Sequence, residues 1–170
     1  IMPAAYDTYD YPAYWRGREY EHEAEIFAIR SFLNKIPKID TILEVGAGFG
    51  RLVSAYAYRA RKIFLEDPSA RLLKKAKERF PAKSVKTLHS RLENLPQKLK
   101  KESIDLAIVV RVLHHIKNID KALSIISKLL RKNGYVIVEF ANKRHIKAAI
   151  LEFLKGNFTF LFDIFPKDIR

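Results

Sequence analysis

Short apolar runs alternate along the chain with longer stretches in which apolar residues recur every three or four positions. The runs predict strands at residues 41–45, 62–66, 84–89, 104–110 and 135–140. The periodic stretches predict helices at residues 19–34, 52–61, 69–80, 120–131 and 143–155. Because strands and helices alternate, the pattern indicates an α/β fold with a doubly wound, mostly parallel sheet and helices on both faces.

Some elements carry more detailed predictions. The continuous apolar run at 104–110 is typical of a strand covered on both faces. Asn133 and Gly134 predict the stop of the helix at 120–131. In the helix at 19–34, the apolar spacing predicts an inward face formed by Ala24, Phe27, Ala28, Ser31 and Phe32.

The length of 170 residues and the hydrophobic content of 48% predict a single domain with a substantial core. We expect no membrane span, because no apolar stretch approaches about 18 residues. We also expect no signal peptide, because the start of the sequence has no basic segment that leads into an apolar run. The predicted organisation is an N-terminal lid or helix at 1–36, a core at 41–141, and a C-terminal helix and apolar tail at 142–170.

The net charge of +13 favours anionic partners, but the basic residues are spread over the polar sides of several predicted helices. This distribution favours a solvated charged surface, and a nucleic-acid footprint remains the less favoured alternative. The chain contains no cysteine, which excludes disulfides and thiolate metal sites and is consistent with a cytoplasmic location.

Half of the six glycines lie in one turn directly after the first strand, at Gly46, Gly48 and Gly50. Glycines there let the backbone approach a ligand closely, and the following helix turns its free N–H groups toward the same place. A dinucleotide site requires G-x-G-x-x-G, and Arg51 occupies the position of its third glycine. A nicotinamide site is therefore a weaker alternative.

The stretch E-V-G-A-G-F-G, from Glu44 through Ala47 to Gly50, resembles the first motif of class I S-adenosylmethionine-dependent methyltransferases. The resemblance implies a Rossmann-like fold and a loop beside the methionine part of S-adenosylmethionine. That part carries an ammonium and a sulfonium group and no phosphate, so a carboxylate such as Glu44 suits it.

The same family has an acid at the end of its second strand that binds the ribose hydroxyls. Asp67 lies 21 positions after Gly46, and Asp67-Pro68-Ser69 is similar to the D-x-S of the family. Since side chains alternate along a strand, we expect Asp67 rather than Glu66 to face the site. The alternative is that Asp67 only caps the next helix, a role that Ser69 also suits.

Two further segments resemble the family in order and spacing. The segment S-R-L-E-N-L-P at 90–96 places Leu92 and Glu93 at the adenine, although Arg91 replaces the acid that often binds its amino group. The exit of the fourth strand, V-V-R-V-L-H-H, places the backbone of Arg111 beside the methionine end.

The histidine pair favours a structural role at a helix start, with a substrate or cofactor contact by His114 as the alternative. Adjacent rings cannot share one face of a regular helix or strand, so we predict no metal site at this pair. In the N-terminal segment, Tyr14, Arg18, Tyr20 and His22 are predicted to touch cofactor or substrate, or else to cover the edge of the sheet.

The resemblance implies a methyltransferase that acts on an unidentified acceptor, most simply a small molecule. Methyl transfer from a sulfonium requires alignment and exclusion of water, so the motifs single out no catalytic residue. The alternatives are a non-catalytic module that binds the cofactor or a nucleic acid, and a nicotinamide-dependent oxidoreductase. The family ends in a strand hairpin, which about thirty residues after Glu139 would leave incomplete; the oligomeric state stays open.

Overall fold

A computed structural model describes residues 10–140 and 153–156. The described residues form a sheet in which every paired neighbour is parallel, in the order β3-β2-β1-β4-β5. The strands are β1 Thr41–Val45, β2 Lys62–Asp67, β3 Val85–His89, β4 Ile104–Val110 and β5 Leu130–Glu139. The order of the strands reverses between β1 and β4, and this sheet confirms the predicted fold class.

Helices connect the strands at nearly the predicted places. They are α1 Tyr11–Tyr14, α2 Glu19–Leu33, α3 Val53–Tyr56, α4 Ala70–Arg79 and α5 Ile119–Leu129. Short 3-10 helices lie at Ala57–Arg59, Leu92–Gln97 and Leu113–His115. The helix predicted at 52–61 is therefore shorter than expected, because it winds into a 3-10 turn after Tyr56.

The alternation of side chains along the strands divides the core into two layers. On one face, residues such as Ile42, Leu65 and Ile108 contact α2, α3 and α4. On the other face, Leu43 and Val109 contact α5 and the 3-10 helix that follows β3. Helices thus cover both faces of the sheet, as the continuous apolar run of β4 predicts.

The predicted inward face of α2 is wrong. The buried residues of α2 are Glu25, Ile26, Ile29 and Leu33. Ala24, Ala28 and Ser31 lie off that buried stripe, and Phe27 and Phe32 are 74% and 50% exposed. Two stripes of this helix carry apolar residues at helical spacing, and the aliphatic stripe of Ile26, Ile29 and Leu33 is the one that joins the core. The acid within that stripe pairs with two arginines.

The prediction that Asn133 and Gly134 stop a helix is also wrong. Helix α5 ends at Leu129, and β5 begins at the next residue. The register then shifts, because Ile104 pairs with Leu130 whereas Leu106 pairs with Tyr135. Asn133 has φ +63° inside this irregularity. The Asn-Gly pair therefore lies in an irregular stretch of β5, where three more residues than on β4 separate the paired positions.

The chain divides into two compact units, Ile1–Glu139 and Phe140–Arg170. The strand predicted at 135–140 ends at Glu139. The predicted helix at 143–155 and the apolar tail lie outside the described residues, except for a turn at 153–156 in which the Gly156 amide donates to the Phe153 carbonyl at 2.9 Å. No helix among the described residues is long and apolar enough to cross a membrane.

Candidate active site

A cavity of about 300 Å³ opens at the carboxyl ends of β1, β2 and β4, where the order of strands reverses. Ligands of open α/β sheets bind at this kind of position. The cavity brings together seven of the predicted cofactor residues: Gly46, Gly48, Asp67, Pro68, Leu92, Glu93 and Arg111. It is also lined by Tyr11 and Val112, which the motifs did not single out, and by His115 of the histidine pair.

At each of the first two glycines of the loop, a different neighbouring side chain occupies the space that a Cβ atom would take. Gly46 has φ +68°, and a Cβ atom there would lie 2.4 Å from Cγ2 of Val112. Gly48 has φ +55°, and its Cβ would lie 3.6 Å from the ring of Tyr11. Both positions combine a left-handed backbone with a neighbour that lines the cavity. The bare loop therefore sets the width of the cavity.

Gly50 and Ala47 support the loop from outside the cavity. A Cβ at Gly50 would lie 3.3 Å from both Ala76 Cβ and the Phe80 ring. The prediction that Gly50 leaves room for a ligand is wrong, since the room is taken by α4 and the residue that follows it. Ala47 is buried, and its amide donates to the Glu66 carbonyl at 2.8 Å.

Glu44 lies beneath the loop and outside the lining of the cavity. Its side chain is buried on β1 and accepts a hydrogen bond from the Tyr56 hydroxyl. Burial raises the pKa of Glu44 to about 7 although this hydrogen bond opposes the shift. The sequence predicts Glu44 as a charge that faces the ligand. In the structure it is instead a buried carboxyl group that connects β1 to α3 through Tyr56.

Replacing Glu44 by glutamine is expected to flatten the pH dependence of stability. The pKa of Glu44 rises from 4.5 to about 7 on folding, so the folded state binds more protons than the unfolded chain in this range. Stability from this group is therefore complete below pH 4.5 and is lost as the pH rises through 7. Urea unfolding should show that, between pH 5 and pH 8, the free energy of unfolding falls by roughly 2 kcal/mol more in the wild type than in Glu44→Gln. Parallel losses in both proteins would contradict this assignment.

Both acids at the end of β2 line the cavity, so the prediction that only one of them faces it is wrong. Asp67 Oδ2 accepts from the Gly48 amide at 2.8 Å, and its Oδ1 accepts from the Ser69 amide at 2.7 Å. Glu66 Oε2 accepts from the Gly46 amide at 3.2 Å. Both side chains reach the cavity because Asp67 is the last residue of β2, where strand alternation ends.

Glu66 is the less satisfied of the two acids. Its side chain is 1% exposed, and Oε1 is buried without a hydrogen-bond partner among the described residues. Burial raises the pKa of Glu66 to about 8, and the charges of Asp67 and Glu93 add to the shift. A buried carboxyl oxygen without a partner is costly, and a ligand that donates a hydrogen bond would relieve the cost.

A cluster that the sequence did not predict joins α2 to the cavity. Arg111, which has φ +57°, donates through Nε to Glu25 Oε1 at 2.7 Å. The other carboxylate oxygen of Glu25 accepts from the Arg51 guanidinium. That guanidinium lies 3.5 Å from the ring centre of Trp15, and the Arg111 guanidinium lies 5.1 Å from it. An acid at four-residue spacing within the stripe formed by Ile29 and Leu33 is the sequence signal that could have revealed this cluster.

None of the four N-terminal residues predicted to touch a ligand lines the cavity. Tyr14 stacks on Tyr11 with ring centres 6.0 Å apart and lies under the Arg18 guanidinium at 4.3 Å. Arg18 also pairs with an exposed glutamate one turn along α2. Tyr20 is 87% exposed, so the structure gives it no place at the cavity. His22 Nδ1 lies 2.8 Å from the Arg51 guanidinium, in a shallow neighbouring pocket.

The histidine pair lies on the short 3-10 helix after β4. The ring centres of His114 and His115 lie 3.8 Å apart, and the ring planes are tilted by 49°. A single 3-10 turn holds them, and the side-chain directions of a regular helix or strand do not apply there. His115, rather than His114, lines the cavity, and burial lowers the pKa of both rings. Among the described residues, no group of three or more His, Asp or Glu side chains could hold a metal ion.

The comparison with known proteins agrees with this architecture. Residues 43–138, more than half of the chain, match the profile of a family described as "Methyltransferase domain". The chain belongs to this methyltransferase family. The motifs at the glycine loop, β2 and β4 all lie within the matched stretch, which confirms the resemblance seen in the sequence.

Two similar proteins illustrate this membership, one by its sequence and one by its solved structure. The ubiquinone/menaquinone biosynthesis C-methyltransferase UbiE of Campylobacter jejuni is 29% identical over 110 residues, covering 61% of this chain and 45% of UbiE. The chain thus spans about half the length of this curated relative. A solved S-adenosylmethionine-dependent methyltransferase of Thermotoga maritima, described as a possible histamine N-methyltransferase, superposes with a TM-score of 0.68 at 25% identity. The superposition covers 91% of this chain and 67% of that protein.

Proposed function

We propose that this methyltransferase domain binds S-adenosylmethionine in the cavity and transfers its methyl group to a small-molecule acceptor. The observation that carries the proposal is the bare loop of Gly46 and Gly48, held by two acids of β2 at the point where the strand order reverses. A nucleoside joined to an amino acid has hydroxyl donors for the acids and a charged chain for the loop.

The residues around the cavity fit this cofactor. Glu66 has a buried oxygen without a partner among the described residues, which suits a hydroxyl donor. Leu92 supplies an apolar wall for a purine ring, with Pro68 and Glu93 beside it in the lining. Arg111 and the glycine loop would hold the amino-acid end. Glu44, Ala47 and Gly50 would support the loop from behind.

Because the cofactor supplies the reactive group, the protein itself has few chemical requirements to meet. S-adenosylmethionine supplies the activated methyl group, and the protein must align the acceptor and exclude water. The ring of Tyr11 lines the cavity beside Gly48 and would help to exclude water there. We assign no catalytic residue. His115, whose ring lies against that of His114, also lines the cavity and would border the acceptor.

A small molecule is the best supported acceptor class. UbiE is named for a quinone pathway and the Thermotoga protein for histamine, and both names describe small acceptors. The net charge of +13 is the observation that favours a nucleic-acid acceptor, but the basic residues do not gather at the cavity. The cysteine-free sequence keeps a cytoplasmic location as part of the proposal.

Calorimetric titration with S-adenosylhomocysteine tests the proposal directly. We expect saturable binding at one site, and no saturable heat with NAD⁺, whose pyrophosphate would meet the carboxylates of β2. Tritiated methyl transfer to a panel of quinols, amines and phenols would then identify the acceptor class. A folded protein that gives no heat with S-adenosylhomocysteine, but binds RNA with a steep salt dependence, would contradict the proposal and favour a nucleic-acid module.

A further inference from the structure

Helix α2 has an exposed apolar stripe on the side that faces away from the sheet. Its members follow one another at steps of four, three and four residues and are here called the outer stripe: Tyr20, Ala24, Phe27 and Ser31. Tyr20 is 87% exposed and Phe27 is 74% exposed, whereas Ile29 on the opposite side of the helix joins the core. Large aromatic side chains that remain exposed at helical spacing indicate a contact surface.

The spacing of the outer stripe is that of the a and d positions of a coiled coil, which pack against a second helix. Large and small residues alternate along the stripe. An antiparallel copy of α2 would place the Phe27 ring over Ala24, and the Tyr20 ring over Ser31, of the other copy. Each contact then occurs twice, as a two-fold axis requires. A parallel pair would instead bring each ring against its own counterpart and leave the small residues facing each other.

The charged residues beside the outer stripe favour the same antiparallel arrangement. Glu23 and Arg30 are exposed and border the stripe on one side. In an antiparallel pair, Glu23 of each copy lies beside Arg30 of the other copy, so two ion pairs form across the axis. In a parallel pair, Arg30 would lie beside Lys35 of the other copy, and like charges would meet. The charge pattern therefore fits a second copy of the helix in one orientation.

We propose that two copies of this chain pair through the outer stripe, with their α2 helices antiparallel about a two-fold axis. The proposal does not rest on the proposed function, because no residue of the outer stripe lines the cavity. Helix α2 has 15 residues and is about 22 Å long, so the contact is small and the dimer should dissociate on dilution. An anionic membrane is a poorer partner for this face, because Glu19 and Glu23 are exposed on the same helix.

Sedimentation equilibrium over a range of protein concentrations tests the proposal with charge-exchange variants. The average mass of the wild type should rise from one copy towards two as the concentration increases. Glu23→Arg is expected to weaken the dimer ~10-fold or more, because each new arginine meets Arg30 of the other copy. Adding Arg30→Glu to Glu23→Arg exchanges the two charges and should restore the dissociation constant to within ~3-fold of the wild type.

Phe27→Asp tests the apolar part of the contact and should also weaken the dimer ~10-fold or more, since it places a charge in the stripe. The matched control is Leu123→Asp, which changes an apolar residue, 40% exposed, on α5 at the other face of the sheet. This control should keep the dissociation constant of the wild type. Circular dichroism verifies that each variant is folded, and the charge exchange alone decides the outcome if Phe27→Asp is not.

Three results would overturn the proposal. The first is the mass of a single copy at every concentration, which would assign the outer stripe to another segment of the chain or to a different protein. The second is a dimer that neither Phe27→Asp nor Glu23→Arg weakens, because another surface would then hold it. The third is a doubly exchanged variant that associates no more tightly than Glu23→Arg, because opposite charges would then not meet across the axis.

Discussion

Replacing Glu25 by glutamine is expected to lower the free energy of unfolding by about 3 kcal/mol, because it leaves a buried guanidinium without its charge partner. Arg51 is 8% exposed and Glu25 is 7% exposed, so water cannot replace the lost carboxylate. The second partner, Arg111, retains an ion pair with Glu139 at 3.5 Å. Most of the loss therefore arises at Arg51, and urea unfolding at pH 7 measures it.

The control for Glu25→Gln is the same substitution one turn earlier in the helix. Glu21 pairs with Arg18 at 3.1 Å, but both side chains are about two-fifths exposed. Exposed pairs contribute about 0–1 kcal/mol, so Glu21→Gln should hardly change the unfolding midpoint. If both variants lost the same free energy of unfolding, the buried ion pairs of Glu25 would contribute no more to stability than the exposed pair of Glu21. Adding Arg51→Met to Glu25→Gln should recover part of the stability, since the unpaired charge is then removed.

The cluster around Glu25 explains how the N-terminal segment reaches the site. Glu25 bridges Arg51, which follows the glycine loop, and Arg111, which follows β4. Those two loops flank the cavity on opposite sides of the reversal in strand order. The aromatic residue Trp15 lies against both guanidinium groups and brings Tyr11 over Gly48. One acid of α2 thus connects the segment over the cavity to both of its walls.

The sequence predicted the central strands and the glycine loop well, for a physical reason. The bounds of β1 and β4 match their predictions because buried parallel strands read as unbroken apolar runs. The loop was recognisable because a left-handed backbone at Gly46 favours glycine over other residues. In both cases the prediction depends only on residues that are close together in the sequence, so it requires no knowledge of tertiary contacts.

Two of the predictions that the structure contradicts depend on contacts between distant segments. The buried face of α2 includes Glu25, whose partners Arg51 and Arg111 lie 26 and 86 positions away. The role of Gly50 depends on Phe80, at the end of another helix. Strand alternation misled the choice at β2 because it does not hold at the last residue of a strand. Local periodicity cannot supply such information, since it contains no record of which helix covers which loop.

Replacing Gly46 by alanine is expected to remove binding of S-adenosylhomocysteine and to destabilise the fold. The added Cβ would lie 2.4 Å from Cγ2 of Val112 and 3.5 Å from its Cβ. A valine side chain has few rotamers, so the loop after β4 must shift or Val112 must turn into the cavity. Either movement changes the wall that the ligand would contact. We expect affinity to fall more than ~10-fold and stability to fall by about 3 kcal/mol, part from the left-handed backbone and part from overpacking.

Gly17→Ala separates these two contributions. Gly17 has φ +75°, close to the +68° of Gly46, but a Cβ there would meet nothing within 4 Å. This control should therefore lose only the backbone cost, about 1–2 kcal/mol, and keep its affinity for S-adenosylhomocysteine. Urea unfolding and calorimetry on both variants give the comparison. If Gly46→Ala behaves like Gly17→Ala in both measurements, the approach of Val112 to the loop does not shape the cavity, and the proposed binding site loses its central observation.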